Sequence, residues 1–121
     1  MVQEVGIMNI DHKTVEEYIL SMPNAKLDYP FGKDVAVYKV NDKMFALIAE
    51  GTMPLRISLK GDPQLNIVLR ETYDTVMEGY HLNKKHWNTV ILSGLPGWEE
   101  VKGFIRHSYN LVAPQSEAKK D

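Results

Sequence analysis

Apolar positions recur along this chain with two different periods, and the switches between them mark out its elements. Val15, Tyr18, Ile19 and Met22 share one helical stripe, with Asp11 placed to cap its start and Pro23 and Asn24 to end it. Residues 27–32 read as a loop from their Pro and Gly, and Tyr29 and Phe31 within it are expected to lid the core. Val35 to Val40 and Met44 to Ala49 are strand-like, joined by a tight turn at Asn41-Asp42. Both are apolar at nearly every position, which predicts cover on much of both faces. After a turn over residues 50–54, Leu55, Ile57 and Leu59 alternate inward against outward Arg56, Ser58 and Lys60. Asp62-Pro63 opens a second helix whose buried stripe is expected at Leu65, Val68, Leu69 and Tyr73. Residues 74–79 lead into a polar and aromatic stretch that ends in a strand, Trp87 to Leu92. A Gly-Pro turn over residues 93–97 follows. Trp98, Val101, Phe104, Ile105, Ser108, Tyr109 and Val112 then recur at the 3, 4 spacing of a final helix. Its outer face carries Glu99, Lys102, Arg106 and His107, and Pro114 stops it.

These elements assemble most economically as one antiparallel sheet with helices packed against it, in the order α-β-β-β-α-β-β-α. The fold class is α+β in a single domain over residues 10–114, with residues 1–9 an N-terminal extension and residues 115–121 a polar tail expected to be disordered. A chain of 121 residues is long enough to bury a core of this size.

Composition narrows the function. A formal net charge of −2 gives no global attraction to nucleic acid or anionic membrane, so any electropositive face must be built by folding. The absence of cysteine excludes disulfides, thiolate catalysis and Cys-ligated zinc, and suits a reducing compartment. No basic and apolar leader opens the chain, and the longest apolar run, residues 44–49, is too short to span a bilayer. The expectation is a cytoplasmic protein with no membrane partner.

Residues 79–92 are the densest in side chains that bind things. His81, Lys84, Lys85 and His86 can neutralise phosphates, Asn83 and Asn88 can donate to backbone oxygens or base edges, and Trp87 can stack on a base. The plainer reading makes Tyr80 and Trp87 core, His81 and Asn83 caps of an irregular stretch, and the lysines merely solvated. Tyr109 and Ser108 are placed to hydrogen-bond towards Tyr80 and His81 as a polar seam. Metal and nucleophile chemistry find little support. The histidines at 81 and 86 are five apart, which is not a one-face helical spacing, and no His-Glu-x-x-His occurs. His107 and Ser108 are adjacent on a helix and diverge by about 100°. Glu16-Glu17 and Glu99-Glu100 read as solvated helix pairs. No metal and no cofactor is expected.

The segments at residues 18–23, 29–32, 43–47, 59–63, 79–90 and 107–112 together resemble the MmcQ/YjbR-like family, in the family's order and over about residues 10–114. The resemblance implies a fold similar to secretion chaperones and a non-enzymatic protein with a double-wing DNA-binding arrangement. This sequence departs from the family where Ile19 and Gly61 stand in place of frequent cysteines, and where Glu78 replaces a common proline. The function that results is weak, mainly phosphate-directed binding of double-stranded DNA through residues 81–88, flanked by Arg56, Lys60, Lys102 and Arg106. The alternative partner is another protein, with the chain as a chaperone-like interaction module.

Overall fold

The computed structural model describes residues 10–79 and 82–114. The local signals act where they stand in the chain. Asp11 caps helix α1 (His12–Leu20) by accepting from the Thr14 amide at 2.9 Å, and hydrogen bonds from the Thr14 side chain first and its amide second hold the Asp11 carboxyl below the usual range. Asn24 then turns the chain with φ at 63°. Asn41 and Asp42, with φ of 52° and 64°, form the left-handed pair that a two-residue hairpin requires. Asp62 caps α2 (Pro63–Thr72) through the Gln64 and Leu65 amides, with Pro63 in the first turn. At the start of α3 (Trp98–Val112), Gly97 has no side chain to cap with. The Glu100 carboxylate reaches back to its amide instead, at 3.0 Å.

The strands are β1 (Lys26–Asp28), β2 (Val35–Val40), β3 (Lys43–Ala49), β4 (Arg56–Lys60), β5 (Val76–Glu78) and β6 (Trp87–Ile91). They form one antiparallel sheet in the order β1-β2-β3-β4-β6-β5. The fold is α+β with the expected succession of elements, and β1 is an additional short strand inside the segment that reads as a loop. No described helix is long and apolar enough to cross a membrane.

All three helices pack on one face of this sheet. Ala36, Tyr38 and Val40 of β2, Phe45, Ala46 and Ile48 of β3, and Ile57 and Leu59 of β4 meet Val15 and Ile19 of α1 and Val101, Ile105 and Tyr109 of α3. Each large apolar side chain buried here contributes about 1.5–3 kcal/mol. Two hydroxyls tie α3 into this layer: Ser108 donates to the Phe45 carbonyl, and Tyr109 to the Pro23 carbonyl at 2.6 Å. The Tyr80–His81 side of the expected seam lies outside the described residues. On the opposite face Val37, Leu47 and Trp87 form a small second cluster flanked by Val35, Met44 and Leu82. No described helix packs on that face.

Two burial expectations are corrected. Phe31 is 62% exposed and Tyr29 is exposed too, so neither ring lids the core. Tyr29 spends its hydroxyl on Glu50. On α2, Val68 is 52% exposed and Asn66 faces inward in its place. The helix is rotated by its polar bonds to β6, described next.

Candidate functional site

The turn that presents Lys84 and Lys85 is held from behind. Asn83 accepts from the Lys85 and His86 amides at 2.9 and 3.3 Å, so a side chain closes the turn. Buried Asn66 donates through its side-chain amide to the Lys85 and Gly61 carbonyls, each at 3.2 Å. The Gly61 amide donates to the His86 carbonyl at 2.9 Å. Arg70, in the last turn of α2, donates to Asn88 Oδ1 at 2.7 Å and reaches the Lys84 carbonyl at 3.5 Å. Asn88 returns a bond to the Asn66 carbonyl at 3.2 Å. These bonds hold the backbone of the turn from within, while Lys84 and Lys85 are exposed. Gly61 leaves room for the Asn66 side chain as it stands: a Cβ there would lie 2.2 Å from Asn66 Oδ1.

This geometry divides the residues read from the sequence. Lys84 and Lys85 project together, with His86 half-buried beside them. Lys60 joins them, because β4 pairs Lys60 with Trp87 at the foot of the turn. Asn83 is committed to the backbone of the turn. Asn88 is only 3% exposed and belongs to the Asn66–Arg70 network, so it has no free edge for a base. Trp87 is 6% exposed, packed with Val37 and Leu47, and is not available for stacking. Arg56 sits at the far end of β4, opposite Ile91, four residues or about 13 Å from Lys60.

Lys102 and Arg106 lie on α3, behind the sheet from Arg56 and Lys60. Lys102 pairs with Glu99 at 3.0 Å and stands over the Tyr18 and Trp98 rings, and Arg106 donates to the Tyr18 hydroxyl at 2.7 Å. They are not brought to the turn. His107 accepts from the Asp62 amide through Nε2 at 3.1 Å, which places its ring proton on Nδ1. His81 lies outside the described residues.

A second constellation escaped the sequence reading. His12 lies between Glu16 and Glu50, Tyr38 donates to Glu16 at 2.5 Å, and Tyr29 donates to Glu50 at 3.1 Å. Burial first, and the Glu16 carboxylate second, push the Tyr38 phenol well above its ordinary range. The His12/Glu16 spacing of four was visible on the helix, but Glu50 arrives from a distant turn. Glu16 is therefore engaged and not simply solvated. The two ring nitrogens of His12 point at different carboxylates, so the groups do not converge on one cation. Among the described residues no cluster of His, Asp or Glu could hold a metal.

Comparison with known proteins places this framework. The family model described as YjbR matches residues 20–111. The chain is similar to the uncharacterised protein YbdF of Escherichia coli O157:H7, 36% identical over 105 residues that cover 84% of this chain and 83% of that protein. It is 35% identical over 93 residues to the uncharacterised protein YjbR of Escherichia coli K12, covering 77% and 79%. The crystal structure of DR2400 from Deinococcus radiodurans superposes with a TM-score of 0.81 at 34% identity, covering 89% of this chain and 85% of that one. A Pseudomonas syringae protein gives 0.72 at 30% identity, covering 84% and 98%.

Proposed function

The chain belongs to the YjbR family, and from that premise we propose that it is a non-enzymatic protein that contacts the phosphate backbone of double-stranded DNA through the turn at residues 83–86. The observation that carries this reading is the anchoring of that turn. Asn83, Asn66, Arg70 and Gly61 fix its backbone, so Lys84 and Lys85 are displayed from a rigid base with Lys60 alongside. Fixing the base lowers the ordering cost of binding.

The contact is small. Lys60, Lys84 and Lys85 engage about three phosphates, so affinity is weak and falls steeply with salt. With Trp87 and Asn88 buried, the turn offers no stacking ring and no free amide for a base edge, so recognition is of the backbone.

The test is fluorescence anisotropy of a mixed-sequence duplex at several salt concentrations. Native protein is expected to bind at low salt with a log–log salt slope of about −3. Lys84→Ala/Lys85→Ala is expected to flatten that slope by about two. Absence of binding at low salt by folded protein overturns the proposal.

A further inference from the structure

The face of the sheet opposite the described helices is not flat. Val35 of β2, Leu47 and Ala49 of β3, Ser58 of β4, Thr89 of β6 and Met77 of β5 form the floor and sides of a groove of about 500 Å³. Exposed Phe31 and partly buried Leu82 also line it. That volume is in the range of sites for small organic molecules. The two hydroxyls on the floor satisfy each other, Ser58 Oγ lying 2.8 Å from Thr89 Oγ1, so the floor demands no polar group from a ligand.

Charge gives the groove a direction. Arg56 is the one cation among its lining residues, and its guanidinium makes no ion pair with any described residue. Met77 marks the other end: Arg56 is paired with Ile91 and Met77 with Thr89, two residues or about 7 Å apart along β6, while Glu78, paired with Asn88, turns its carboxylate to the helical face. A run of phosphates finds little here, since the walls are apolar and carry a single cation.

We infer that this groove binds an amphipathic organic anion. Its carboxylate is held by the Arg56 guanidinium, whose planar fork matches two carboxylate oxygens. Its apolar body, about ten carbons long, lies over Leu47, Ala49 and the Ser58–Thr89 pair towards Met77. The site is separate from the lysine turn, and the inference does not depend on DNA binding.

The test uses the full chain with 8-anilinonaphthalene-1-sulfonate as the fluorescent probe and decanoate, below its micellisation concentration, as the competitor. The probe is expected to bind saturably and decanoate to displace it. Decanol, with the same body and no charge, is expected to compete about tenfold less well. Arg56→Gln, at an exposed position that leaves the fold intact, is expected to lose that tenfold preference. Ala49→Phe fills the groove and is expected to remove both ligands, with circular dichroism establishing that it is folded. Lys84→Ala/Lys85→Ala is expected to leave decanoate binding unchanged, which separates this result from any result with DNA. The inference is overturned if decanoate displaces nothing, if decanol competes equally well, or if Arg56→Gln binds decanoate like the native chain.

Discussion

Nδ1 of His12 lies 3.0 Å from the Glu50 carboxylate, joining the first turn of α1 to the end of β3. Its Nε2 lies 3.4 Å from Glu16, so a single ring separates two acidic groups that would otherwise face each other. All three side chains are less than a third exposed, which limits screening by solvent. His12→Ala is expected to destabilise the fold by about 1 kcal/mol at pH 6. Urea melts of His12→Ala, Glu50→Ala and the double variant measure it. Strictly additive effects would show that the pair is not coupled.

The same cluster predicts a limit at high pH. The Tyr38 phenol is raised above its unfolded value near 10, so the folded state favours its neutral form. That contribution is complete below about pH 10 and is lost as pH climbs beyond it. At the acid end the carboxyls of Asp11 and Asp28 are lowered, chiefly by hydrogen bonds to Thr14 and to the Tyr29 amide. Their contributions are present above about pH 4 and are lost as pH falls through their folded values. Urea midpoints of Tyr38→Phe are expected to fall less than those of the native chain between pH 9 and about 11. Parallel curves would remove Tyr38 from the account.

Asn88 and Asn66 hold the lysine turn from within. Asn88→Ala leaves the Arg70 guanidinium without its 2.7 Å acceptor and removes the side-chain bond that ties the Asn66 carbonyl of α2 to β6. A loss of about 2 kcal/mol is expected. Amide exchange at Lys85 and His86 is expected to quicken as the turn loosens. Unchanged exchange alongside lowered stability would mean that the network supports β6 and not the turn.

Trp87 separates packing from recognition. Trp87→Ala empties the second cluster against Val37 and Leu47 and is expected to cost about 3–5 kcal/mol. Trp87→Phe keeps most of that volume and is expected to leave DNA affinity within about twofold of native. A large loss of affinity in folded Trp87→Phe would assign the ring to the ligand after all.

What the sequence disclosed was whatever is decided locally. Asp11 and Asp62 cap helices through bonds spanning two or three residues, Asn41-Asp42 needs only its own backbone, and Leu55-Ile57-Leu59 needs only alternation. Features set by distant partners were hidden. Val68 fits an apolar stripe as well as any residue, but the orientation of α2 is set by Asn66 meeting Asn88, 22 positions away. An aromatic loop residue such as Phe31 carries no sign of the side of the sheet on which it emerges. Within the candidate site, the adjacency of Lys84, Lys85 and His86 was visible at once. That Lys102 and Arg106 sit behind the sheet, occupied by Tyr18 and its neighbours, depends on topology.

Both borders of the sheet are short. β1 and β5 have three residues each, and Lys26 and Asp28 place opposite charges along the first of them. An incoming strand would gain only one or two backbone bonds from either border, too few to offset the order it must give up. Growth of the sheet by lateral addition, the usual route to fibrils and strand-exchanged assemblies, is therefore closed at both sides. The sheet keeps its second apolar cluster, Val37, Leu47 and Trp87, between borders that do not invite further strands.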